Sequence, residues 1–295
     1  MTQNPIFRGV ATALITPLNE NGVDYDALGK LIDWQIDQGI NAIVICGTTG
    51  ECSTLTDEEH KAVLKYSVER AAKRVPIIAG TGSNDTAYAI SLTKYASEIG
   101  ADACLVVTPY YNKCTQSGLV KVYTAIADAS DIPIIIYNVP SRTGVGFESE
   151  TYLKLADHPM IQGIKEANGD ISKIMHTMRL VGEKLDVYSG NDDQVVPFMS
   201  IGGAGVISTV SNVWPSRTVE MCDKFYAGDI KGATDIQFEL LPLIDYLFCQ
   251  VNPIPVKAAM SSLGFCENYL RLPLDPMDKT KEAGMLDVMK GLGLL

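Results

Sequence analysis

Short apolar runs, each followed by a stretch with helical spacing, recur along most of the chain. The runs cover residues 10–15, 42–46, 76–79, 103–108, 133–137, 161–165, 186–189 and 205–208. Most are apolar at nearly every position rather than at alternate ones, as in parallel strands covered on both faces. Between them the apolar residues are spaced for helices. Residues 24–38 place Leu28, Leu31, Ile32 and Ile36 on one face and stop at Gly39. Thr56-Asp57-Glu58-Glu59 reads as a capping box opening the next helix. Residues 84–99, 117–129, 149–156, 171–181, 194–202 and 215–227 fit the same role. Eight strand–helix alternations in about 225 residues predict a (β/α)8 TIM barrel, an α/β fold. A doubly wound sheet is the competing arrangement, but no Gly-x-Gly-x-x-Gly follows the first strand. From Asp229 onward the pattern is helical: an apolar stretch over 230–248, then Pro253 and Pro255 introducing 256–263, then 279–292. The expected organisation is a catalytic barrel over residues 1–227 with a C-terminal helical appendage, 228–295, packed on it.

Composition narrows the function. The 295 residues are 46% hydrophobic and 20% charged, enough for a sizeable core, and the net charge is −11. That balance, with no Lys/Arg run, argues against nucleic acid as a partner. No apolar run is long enough to span a bilayer, so no membrane partner is expected. Met1-Thr2-Gln3-Asn4-Pro5 lacks a basic segment followed by an apolar one, so no signal peptide is expected. The seven cysteines include no Cys-x-x-Cys, and Cys46, Cys104 and Cys249 sit in apolar runs. Reduced thiols in a cytoplasmic protein are the simplest reading. His60, His158 and His176 show no metal-ligand spacing, and neither a metal nor a cofactor is expected.

In a barrel the active site is built at the C-terminal ends of the strands. The sixth apolar run ends in Gly163-Ile164-Lys165-Glu166-Ala167-Asn168. A lysine there is either a structural cation paired with Glu166 or another carboxylate, or an amine made nucleophilic by burial. The second run ends in Gly47-Thr48-Thr49-Gly50-Glu51, an ordinary turn or a small anion cradle of hydroxyls and backbone N–H groups. The fourth ends in Thr108-Pro109-Tyr110-Tyr111-Asn112, where paired tyrosines serve packing, an interface or chemistry. The fifth ends in Tyr137-Asn138-Val139-Pro140-Ser141-Arg142-Thr143-Gly144. The Tyr137 phenol could relay protons beside Lys165. Arg142, in the following loop, could grip a carboxylate with both arms of its guanidinium or form a surface ion pair. The seventh ends in Ser189-Gly190-Asn191-Asp192-Asp193 and the eighth near Ile207-Ser208. A lysine, tyrosines, a hydroxyl pair and an arginine at one end of a barrel suit Schiff-base chemistry on a keto acid.

Taken together, in this order and spacing, these strand-end motifs resemble those of the dihydrodipicolinate synthase / N-acetylneuraminate lyase family along almost the whole chain. The resemblance implies a pyruvate-type class I aldolase on a TIM barrel, without cofactor. It makes Lys165 the imine-forming residue, Tyr137 the proton shuttle, and Thr48 the link from Tyr137 to Tyr111, which would come from a neighbouring subunit. Thr49 would bind the carboxylate of pyruvate, and Gly190 and Ile207 would line the pocket through their backbones. Arg142 favours the synthase branch, where an arginine contacts the carboxylate of L-aspartate 4-semialdehyde. The implied reaction is then condensation of pyruvate with that aldehyde, in diaminopimelate and lysine biosynthesis, by a homotetramer built as a dimer of tight dimers. A pyruvate-releasing aldolase acting on sialic or 2-keto-3-deoxy sugar acids is the alternative within the family, and a non-catalytic barrel regulator the alternative outside it. Asn84, Tyr110 and His60 match the lysine effector site of feedback-inhibited members. Tyr88 stands where those enzymes commonly have an acidic residue, and Cys52, Ser53 and Asp57 also vary, so weak or absent lysine inhibition is expected.

Overall fold

In a computed structural model describing residues 5–295, eight parallel strands close into a barrel. They are β1 (Gly9–Ala13), β2 (Ala42–Ile45), β3 (Ile77–Gly80), β4 (Ala103–Val107), β5 (Ile134–Asn138), β6 (Ile161–Glu166), β7 (Asp186–Ser189) and β8 (Gly205–Ser208). They follow one another around the barrel in chain order. Met1–Asn4, part of the start read above for a signal segment, lies outside the described residues. Nearly every strand position is buried, which is why the runs are continuously apolar. The helices are α1 (Tyr25–Asp37), α2 (Asp57–Ala71), α3 (Thr86–Glu98), α4 (Gln116–Asp128), α5 (Pro140–Thr143), α6 (Ser149–Leu155), α7 (Ile171–Val181), α8 (Val195–Ser200), α9 (Pro215–Tyr226), α10 (Ile230–Leu247), α11 (Ile254–Ser262) and α12 (Lys279–Gly291). Among the described residues no helix is long and apolar enough to cross a membrane.

Two elements depart from the sequence expectation. The segment after β5, read as a loop, contains the single turn α5, opened by Pro140 at its first position and closed by Gly144 at φ 69°. A short antiparallel ribbon, Leu18–Asn19 with Gly22–Val23, precedes α1. Its turn is held by the Asn19 side chain, which accepts from the backbone N–H of Asn21 at 2.8 Å.

By density of contacts the chain divides into two compact units. The first is Pro76–Ile207 together with Pro5–Gly9. It holds β3 to β7, and its register places Tyr137 opposite Lys165 and Asn138 opposite Glu166 across β5 and β6. Lys165 is in turn opposite Tyr188 of β7, whose hydroxyl donates to the carbonyl of Phe7 at 2.9 Å while the two rings stack.

The second unit is Val10–Val75 with Ser208–Leu295, so α9 to α12 share a body with α1, α2 and β2. A buried polar seam runs through it. The Thr12 hydroxyl donates to Gln35 at 2.7 Å, the Gln35 amide donates to the Ser211 carbonyl at 2.9 Å, and Asn212 donates to the Ala13 carbonyl at 2.8 Å. The capping box of α2 forms as expected: Glu59 N–H donates to Thr56 Oγ1 at 3.2 Å, and Thr56 N–H donates to Glu59 Oε2 at 3.0 Å.

Candidate active site

Side chains alternate across a strand, so neighbouring residues of β5 and β6 serve opposite faces of the sheet. Tyr137 and Lys165 share one face. The Lys165 ammonium lies 4.4 Å from the centroid of the Tyr137 ring, and both residues are buried, at 6% and 7% exposed. A cation over an aromatic face gains electrostatic attraction where water is scarce. Asn138 and Glu166 share the other face. The Asn138 amide donates to Glu166 Oε1 at 2.8 Å, the Tyr152 hydroxyl of α6 to Oε2 at 2.9 Å, and the Asn168 backbone N–H to Oε1 at 3.0 Å. Glu166 therefore does not serve as the counter-ion of Lys165. Burial pushes the Glu166 carboxyl up to about 7, against the pull of these three donors. The same burial, with the Glu166 charge, drives the Tyr152 phenol well above its ordinary value.

Gly190 follows β7 and closes this region. Its N–H donates to the Glu166 carbonyl at 2.8 Å. A Cβ here would stand 2.7 Å from Ala167 Cβ and 3.2 Å from Lys165 Cε, so only glycine lets the backbone approach the lysine stem. Ile207 is buried in β8. Arg142 sits on α5, exposed. Tyr111 is 91% exposed on the loop after β4, with φ 69°. Asn112 ties two of the expected effector residues together: its side chain donates to the Asn84 carbonyl at 2.9 Å and its N–H to the Tyr110 carbonyl at 2.8 Å.

Thr48, Thr49 and His60 belong to the other unit. His60 is buried in α2. The Thr48-Thr49 turn is tightly cross-linked, with the N–H of Gly50 donating to Gly47 and that of Glu51 to Thr48, both at 3.1 Å. Gly50 fits because a Cβ would lie 3.2 Å from Cys46 N, Leu14 O and Thr16 Oγ1. Side chains near the C-terminus complete the turn. The Asn252 amide donates to Thr49 Oγ1 at 2.9 Å, leaving the Thr49 hydroxyl hydrogen to be donated to a further acceptor. Glu51, at φ 54°, forms an ion pair with Lys257 of α11, which is fully buried. Burial lowers the Lys257 pKa and the Glu51 charge opposes it. Arg271 donates from its backbone to Glu51 at 3.4 Å, from its guanidinium to the Thr54 carbonyl at 2.8 Å, and to both oxygens of Glu59 at 2.6 Å. This guanidinium holds the Glu59 carboxyl below its ordinary range.

Sequence reading missed Asn138, Tyr152, Asn252, Lys257 and Arg271, and assigned no role to Glu51. One usable signal existed: Lys257 interrupts the apolar run Ile254-Pro255-Val256-Lys257-Ala258-Ala259, an improbable place for an unpaired charge.

A buried lysine beside a phenol at the end of a parallel barrel strand suits a class I aldolase-type lyase. Comparison with known proteins makes the assignment specific. The dihydrodipicolinate synthetase family model matches residues 6–291. The 4-hydroxy-tetrahydrodipicolinate synthase of Thermoanaerobacter sp. (strain X514) is 51% identical over 292 residues, covering 99% of this chain and 98% of that one. Dihydrodipicolinate synthase from Aquifex aeolicus superposes with a TM-score of 0.96 at 46% identity, covering 98% and 99% of the two chains. The chloride-inhibited dihydrodipicolinate synthase of Acinetobacter baumannii, complexed with pyruvate, gives 0.95 at 44% identity with the same coverage. The chain belongs to the dihydrodipicolinate synthetase family.

Proposed function

We propose that this chain condenses pyruvate with L-aspartate 4-semialdehyde to 4-hydroxy-tetrahydrodipicolinate, releasing one water, on the route to diaminopimelate and lysine. The observation that carries this is Lys165: buried at the end of β6, next to Tyr137, with Glu166 engaged elsewhere. About half the residues are shared with a 4-hydroxy-tetrahydrodipicolinate synthase over nearly the full length of both chains, which supports the same reading.

In this mechanism the Lys165 amine adds to the ketone of pyruvate, and water leaves as the iminium forms. Tyr137 moves the protons that these two steps require. Thr49 donates its hydroxyl to the pyruvate carboxylate while Asn252 occupies its acceptor side. Loss of a proton from the methyl carbon gives an enamine, whose carbon attacks the aldehyde and forms the new C–C bond. The amine of the second substrate then displaces Lys165 by transimination, closing the ring and freeing the lysine. Arg142 receives the carboxylate of the semialdehyde, and Gly190 and Ile207 shape the pocket with their backbones.

Tyr111 reaches a partner's site and completes the relay through Thr48. Its nearly full exposure in the single chain suits a ring that is covered on assembly, in the family's homotetramer built as a dimer of dimers. The protein works in the cytoplasm. Lysine at Asn84, Tyr110 and His60 inhibits weakly or not at all, because Tyr88 offers no carboxylate to its ammonium.

The test is turnover of pyruvate and L-aspartate 4-semialdehyde followed through a dihydrodipicolinate-reductase coupling step. Wild type turns over and Lys165→Ala does not. No turnover by folded wild type would remove the assignment, and cleavage of sialic or keto-deoxy sugar acids would be measured next.

A further inference from the structure

The loop that carries Arg142 and the strand end that carries Lys165 share one fastening. Asn138 is its centre. Its amide donates to Glu166 Oε1 at 2.8 Å, and its carbonyl oxygen accepts from the Phe147 backbone N–H at 3.3 Å. Phe147 is where the chain returns after α5, so the Asn138 side chain ties the two ends of the Arg142 loop together. Within the loop Gly144 N–H donates to the Pro140 carbonyl at 3.0 Å and the Thr143 hydroxyl donates to the Val145 carbonyl at 2.8 Å, and from α4 the Gln116 amide donates to the Gly146 carbonyl at 2.8 Å. The other half of the fastening is Glu166. It lies one residue beyond Lys165, accepts from Tyr152 and Asn168, and receives the Gly190 N–H on its carbonyl. Asn138, Glu166, Phe147 and Tyr152 are all buried, and the Tyr152 ring stacks on Phe147 at 4.4 Å.

We propose that Asn138 and Glu166 are positioning residues for the reaction. From the face of the sheet away from Lys165 and Tyr137, their hydrogen bonds keep the lysine and phenol side by side and seat the Arg142 loop. Neither touches substrate. This role rests on the imine proposed above at Lys165. Geometry of the reacting groups is where small errors cost most, since a displacement of about 1 Å can cost about a hundredfold in rate. The two ends of the fastening serve different substrates, so they separate kinetically. Asn138 accepts the Phe147 backbone N–H, a bond that its truncation removes, whereas Glu166 keeps Tyr152 and Asn168 when Asn138 is truncated.

The test uses borohydride trapping of the pyruvate imine, the two KM values, and the thermal midpoint. Asn138→Ala raises KM for the semialdehyde by about tenfold, with KM for pyruvate changed less than about twofold, as expected for one lost hydrogen bond at a loop anchor. Glu166→Leu slows trapping by about a hundredfold, and Glu166→Gln recovers it to within about fivefold, because a glutamine can accept on one atom and meet Tyr152 with the other. If the first two variants do not fold, Tyr152→Phe deletes a single oxygen and slows trapping by about fivefold, with the midpoint lowered by only a few degrees. Equal constants in folded variants overturn the proposal. So does a parallel rise of both KM values that Glu166→Gln fails to recover, which marks a general structural role. Wild type that gives no trapped pyruvate adduct refutes the imine reading itself, a result distinct from wild type that traps pyruvate and variants that match it.

Discussion

Two glutamates in this protein are buried to nearly the same degree, Glu51 at 3% and Glu166 at 1%, and each lies within two residues of a strand-end group assigned to the reaction. They are satisfied by different chemistry. Glu51 faces a full cation, Lys257, which reaches it from 206 residues away in sequence. Glu166 faces neutral donors only: an amide, a phenol and a backbone N–H. The ion pair is an all-or-nothing device, since removing one partner strands the other charge in a dry site. The neutral cluster tolerates either protonation state of its carboxyl, which burial pushes up to about 7 against the pull of the donors. The pair anchors the Thr48-Thr49 turn, against the left-handed backbone of Glu51, while the cluster holds its carboxyl on the face of β6 away from Lys165.

The largest effect expected from this contrast follows loss of the cation. Lys257→Met leaves Glu51 buried and unpaired, and the cost is about 3–5 kcal/mol of stability in a denaturant titration. Glu51→Gln in the same background restores most of it. A loss below about 1 kcal/mol in the single variant would show that the pair contributes little.

Next is the pH response of the cluster. Folded Glu166 keeps its proton to about 7, whereas the unfolded chain releases it near the ordinary value of 4.5. Between those values the folded state binds more protons, so stability falls as pH rises through the window and levels off above it. The fall amounts to about 3 kcal/mol. Glu166→Gln removes this slope. Unfolding titrations whose pH dependence is the same for both proteins would contradict it.

The smallest effect is local to the turn. Thr49→Val keeps the shape but removes the hydroxyl, and KM for pyruvate rises by about ten- to a hundredfold, the range for a hydrogen bond to a charged group. The unfolding midpoint falls by only a few degrees, the cost of the Asn252 amide losing its acceptor. An unchanged KM would take Thr49 out of the binding site.

The barrel was legible because its strands are buried on both faces, and continuous apolar runs such as 42–46 and 103–108 are hard to read otherwise. The Lys165 strand end and the Thr48-Thr49 turn were legible too, since their residues are contiguous. Asn252 and Lys257 were not. They reach Thr49 and Glu51 across 203 and 206 residues, and no local period encodes such a contact. Glu166 misled for a different reason. Adjacency to Lys165 suggested an ion pair, but alternation along β6 sends the two side chains to opposite faces. The turn α5 was hidden in a four-residue segment too short to show periodicity.

The central claim is that Lys165 forms an imine with pyruvate. Incubation with pyruvate and borohydride, followed by peptide mass analysis, tests it most directly. The account predicts one reduced pyruvate adduct on the peptide containing Lys165 and none in Lys165→Ala. An adduct elsewhere, or none in active wild type, would contradict it.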